Sequence, residues 1–149
     1  MKIIRSIIAI IAGLIVGMVV ISVIEAGSHA VYPQPADFGK MMMDPDVSRQ
    51  KKYEVIQSLP VGALASVLFG WMCGAFVGGG VAGAIASCCR ALHASVIGVV
   101  ILLASIMMMV MIPHPDWMLI GGLAAPLPLS VCAGVLSAKL FSPKEAAST

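Results

Sequence analysis

Residues 59–88 read LPVGALASVLFGWMCGAFVGGGVAGAIASC, thirty positions without one charged side chain. A helix needs about 20 apolar residues to cross a hydrocarbon layer of about 30 Å, so this stretch is long enough to span a membrane. Its apolar residues come in unbroken runs and not at every second position, which is the pattern of a membrane helix and not of a barrel strand. Three similar runs flank it. One covers residues 3–24, interrupted only by Arg5 and Ser6, and the others cover 92–112 and 117–141. The reading is an all-α integral membrane protein: four transmembrane helices in a compact, glycine-rich bundle, forming one domain over residues 1–149.

Composition leads to the same class. Of 149 residues, 60% are hydrophobic and 11% charged, whereas a soluble domain carries about 25% charged residues. Such a chain cannot cover its surface with polar groups, and the lipid bilayer is its expected surrounding. Nucleic acid is excluded as a partner, because the net charge is only +2 and the nine basic residues form no stripe. Lys2 and Arg5 before an apolar run, with Ser28-His29-Ala30 after it, have the outline of a signal peptide. The run is longer than the roughly 7–15 residues of a signal core, so an uncleaved anchor is expected.

Lysine and arginine set the orientation of membrane helices. With a cytoplasmic N-terminus, Lys2, Arg5, Arg90, Lys139 and Lys144 share the inner side, together with a C-terminal tail at 142–149. A long first loop, residues 31–58, then lies outside with the turn Pro113-His114-Pro115-Asp116. The loop's own Lys40, Arg49, Lys51 and Lys52 oppose this assignment. In that loop, Tyr32-Pro33-Gln34-Pro35 reads as an extended exit. Asp44-Pro45 reads as an N-cap followed by proline at the first helical position. Val47, Tyr53, Val55, Ile56 and Leu59 are compatible with the apolar face of one short helix lying on the membrane.

Small residues recur at every fourth position. In the second span these are Gly62, Ser66, Gly70, Gly74, Gly78, Ala82 and Ala86, with an offset row of Gly79, Gly83 and Ser87. Ala9, Gly13 and Gly17 line one face of the first span, and Gly122, Ser130, Gly134 and Ala138 one face of the fourth. Lipid supplies little hydrophobic force between helices, so close approach over small residues provides the contact. Gly13, Gly17, Gly70, Gly74, Gly78 and Gly134 are therefore expected at helix interfaces, within the chain or in a homo-oligomer.

Continuing the four-residue step from Gly17 gives Ile21, Glu25 and His29. A carboxylate and an imidazole one turn apart share a helix face, and ionisable groups in a membrane bundle are functional candidates. In an up-down bundle the first helix packs beside the fourth, which would bring His114 and Asp116 to the same end. Glu25, His29, His114 and Asp116 are thus candidate ligands for a divalent metal such as Zn²⁺, although no compact ligand spacing is present. Asp116 also suits the N-cap of the fourth helix.

Methionines 41–43, 107–109 and 111 crowd this side. Thioethers favour Cu(I), but methionine is also an ordinary filler of apolar gaps. Cys73 and Cys132 read as small apolar residues. Cys88-Cys89 stands at the end of the second span, without a Cys-x-x-Cys motif. Pro126 and Pro128 are expected to kink the fourth helix.

Residues 24–35, IEAGSHAVYPQP, resemble the end of the first helix in small bacterial four-helix membrane proteins: a Glu, a His one turn later, then an aromatic-proline exit. The resemblance implies a bacterial inner membrane and draws attention to Glu25 and His29.

Three functional readings follow. The polar residues are confined to one half of the bundle, which favours a structural or accessory subunit that docks glycine-rich faces onto other membrane subunits and is not an enzyme. The second reading is a small transporter or ion-handling protein with an outward Glu25/His29 site, and the third a membrane metalloenzyme.

Overall fold

The computed structural model describes residues 2–141, and among these every regular element is a helix. In chain order they are α1 (Lys2–Val31), α2 (Phe38–Met43), α3 (Arg49–Ser58), α4 (Val61–Ile85), α5 (Arg90–Met111), α6 (Asp116–Ala124) and α7 (Pro126–Phe141). Helices α1, α4, α5 and the α6–α7 pair are long and apolar enough to cross a membrane. The expected tail at 142–149 lies outside the described residues.

Local chemistry explains the boundaries. With 30 residues, α1 is about 45 Å long at 1.5 Å per residue. It therefore continues past its apolar run and carries Glu25 and His29 beyond it. The second span ends at Ile85 and not at Cys88, because the chain turns through residues 86–89. Cys89 holds the left-handed conformation there (φ 48°). The fourth span is broken in two at Ala125, since Pro126 has no N–H to continue the ladder. Asp116 is not the cap that the sequence suggested. Pro115 occupies that position, and Asp116 is the first helical residue, near the positive end of the α6 dipole.

Helix α4 is the centre of the bundle, with α1 on one side, α7 on another and α5 alongside. Its two small-residue rows face different neighbours. A methyl group added at Gly74 would lie 2.9 Å from the Gly17 carbonyl oxygen, and one at Gly17 2.9 Å from that of Gly74. Gly83 of the second row lies against Gly134 and Ser137 of α7, and Gly79 against Ser130. Gly70 meets Ile24, while Gly134 also abuts Ala91 and Ala94 of α5. This corrects the up-down expectation: α1 packs against α4, and to a lesser degree α5, in place of the fourth span. The matching glycine rows decide it, because only there can two backbones come this close.

Side-chain bonds to carbonyls tie the spans together. Ser137 Oγ donates to the Gly80 carbonyl at 2.9 Å, and Ser130 Oγ to that of Ala94. At the end away from the loop, Arg5 Nε donates to the Ile85 carbonyl at 2.6 Å. There Arg90 also reaches the carbonyls of Ser137 and Phe141 at 3.2 and 3.0 Å. The outer face of α1 stays bare, with Ile4, Ile8, Ile15 and Val19 all more than half exposed, as suits a lipid-facing surface.

The loop differs from the single helix expected. It forms two helices, and α3 is capped by Ser48, whose Oγ accepts from the Lys51 N–H at 3.3 Å. Asp44 instead ends α2, and its carboxylate accepts from the Asp46 N–H at 2.9 Å. Met42 and Ile56 join the same apolar cluster as Leu64, Trp71 and Met118. The two helices therefore fold over one end of the bundle.

Candidate functional site

Beneath α2 and α3 lies a cavity of about 250 Å³. Its walls are chiefly apolar, including Phe38, Met42, Leu64, Trp71 and Met118, and four polar residues reach it: Glu25, His29, Gln34 and His114. Each arrives for a separate reason. The overlength of α1 places Glu25 and His29, and the proline-rich exit after α1 places Gln34. His114 comes from the turn between α5 and α6.

Glu25 is half-buried, and His29 lies one helical turn further along α1. His114 is fixed more firmly. Its Nδ1 lies 2.6 Å from the Ile112 carbonyl, and a carbonyl can only accept, so Nδ1–H is the donor and Nε2 keeps its lone pair. The Trp71 ring lies beside it, with centroids 6.1 Å apart and planes tilted by 57°. Burial holds the His114 imidazole below the usual histidine range, more strongly than the bond to Ile112 raises it. The site thus presents a carboxylate, a neutral imidazole with a free lone pair, and an aromatic face in apolar surroundings. Such a set can accept hydrogen bonds from, or neutralise, a small cation.

Of the four proposed metal ligands, Glu25, His29 and His114 line this cavity. Asp116 lines a neighbouring pocket with Arg49, Gln50 and Tyr53, and His114 borders both. Among the described residues, no three histidine, cysteine, aspartate or glutamate side chains group closely enough to hold a metal ion. Arg49 donates to the Val110 carbonyl at 2.9 Å, tying α3 to the end of α5. Cys88 and Cys89 are exposed at the opposite end of the bundle, and all four cysteines are free.

Sequence reasoning missed Trp71, Gln34 and Met118 as cavity residues, and it placed Met42 only within the methionine cluster on this side. Nothing in the order of residues links position 42 to position 118. Only the fold-back of α2 makes them neighbours of one space. The methionine clustering was the one available signal. No protein-family model matches the chain, and neither the curated proteins nor the solved structures compared with it yielded a match, so the functional reading rests on this site.

Proposed function

We propose that the chain is a small inner-membrane protein that captures a small cation at an outward-facing site, with Glu25, His29 and His114 as its polar groups. The observation that carries this reading is the convergence of these three side chains on one apolar cavity capped by α2 and α3. In the proposed orientation both termini are cytoplasmic, and residues 31–58 with the cavity face outward. The lysines and arginines at the ends of α1 and α5 support that choice.

The accessory-subunit reading draws less support. Its docking surfaces were the glycine rows, and Gly13, Gly17, Gly74, Gly78, Gly79 and Gly83 all meet partners inside the chain. Capture is favoured over conduction, because among the described residues the buried span serines Ser105, Ser130 and Ser137 each commit their hydroxyl proton to a helix carbonyl. The test is calorimetric binding of tetramethylammonium and of monovalent and divalent metal salts to purified protein, comparing wild type with Glu25→Gln and His29→Ala. Saturable binding weakened at least tenfold in either variant supports the reading. Binding that is absent, or equal in all three proteins, overturns it and leaves a helix-terminal polar pair.

A further inference from the structure

The cavity has a second set of donors that the carboxylate and imidazoles do not explain. Met42 and Met118 are only 2% and 0% exposed, and both line it, as does Met108 from the end of α5. These thioethers come from three separate helices, α2, α5 and α6, and the more exposed Met43 of α2 borders the same space. A methionine thioether is a soft, uncharged donor that favours Cu(I) over harder divalent ions. His114 adds an imidazole nitrogen whose lone pair is kept free by the Nδ1–H bond to Ile112. In metal sites such a bond on the far ring nitrogen orients a ligating histidine.

We propose that the cavity is a soft monovalent metal site, taking Cu(I) on the thioethers of Met42, Met108 and Met118 and on Nε2 of His114. Glu25 supplies the compensating negative charge. This rests on the outward capture reading and names its cargo. The donor set also fits the lack of any group of three histidine, cysteine or carboxylate side chains among the described residues: a hard or borderline divalent ion would need such a group, whereas Cu(I) does not. No redox step is involved, since the ion enters and leaves as Cu(I).

The experiment uses the full chain in detergent with Cys73, Cys88, Cys89 and Cys132 replaced by alanine, so that thiolates cannot compete. Ag(I) serves as a redox-silent probe, and Cu(I) kept reduced by ascorbate is titrated against a chromogenic chelator. One ion per chain is expected. Met42→Leu with Met118→Leu conserves volume and should weaken binding at least tenfold while the melting temperature stays within a few degrees. His114→Gln should also weaken it, and Met107→Leu, at a residue outside the cavity lining, should not. No stoichiometric binding, or binding indifferent to the Met42/Met118 pair, overturns the metal assignment. If tetramethylammonium still binds and Glu25→Gln abolishes that binding, the capture reading survives without copper. If neither probe binds, both readings fall.

Discussion

Gly13 and Gly78 face each other across the α1–α4 contact so closely that a methyl group on either would sit 2.7 or 2.6 Å from the other's carbonyl oxygen. Nothing but hydrogen fits between the two backbones. The Gly17–Gly74 pair one turn away repeats the arrangement, and together they seat α1, whose outer face is exposed.

Gly78→Leu should therefore destabilise the bundle by at least the roughly 1–3 kcal/mol typical of overpacking, because backbone and not a flexible side chain stands in the way. Val77→Leu, at a position 39% exposed, should be mild. Gly27→Ala on α1 meets nothing within 4 Å. It should be neutral or stabilising by up to about 1 kcal/mol through helix propensity. Thermal unfolding in detergent checks all three, and equal losses at positions 77 and 78 would contradict the contact.

Stability should also depend on pH through His114. Burial depresses its folded-state proton affinity, so between the folded value and the unfolded value of about 6.5 the unfolded chain binds more protons. The contribution is complete above about pH 6.5 and is lost as pH falls below it, down through the folded value. Melting curves from pH 8 to 5 should show this decline in wild type and a shallower one in His114→Gln. An unchanged slope in the variant would assign the decline to other groups.

Ser137 bonds the Gly80 carbonyl across the α4–α7 contact. Interhelical bonds of this kind contribute about 0.6 kcal/mol on average in a membrane protein. Ser137→Ala should cost a similar amount, since its removal also thins the contact with Gly83. A gain in melting temperature would show that the hydroxyl is unfavourable there.

The proposed orientation has a direct readout in the native thiols. Cys88 and Cys89 are exposed at the end opposite the loop. In intact cells a membrane-impermeant maleimide should leave them unlabelled until the membrane is opened. Asp37→Cys in a cysteine-free background should label at once. The reverse pattern would turn the molecule over and place the cavity on the inner side.

Four spans could be read directly from residues 59–88 and the three other apolar runs, because burial in lipid demands long uncharged helices whatever the fold. The small-residue rows were equally visible, but their partners were not. A glycine row states only that some backbone comes near, and whether α4 or the fourth span meets α1 depends on shapes that exist only after folding. Glu25 and His29 could be paired from their spacing alone, since helix geometry is local. Their joining with His114, Trp71, Met42 and Met118 depended on α2 and α3 folding over the bundle end, a set of contacts between residues up to about ninety positions apart. Asp116 shows the limit from the other side: two residues from His114 in the chain, it lines the neighbouring pocket that His114 also borders, and not the cavity beneath α2 and α3, a placement that the order of residues does not set.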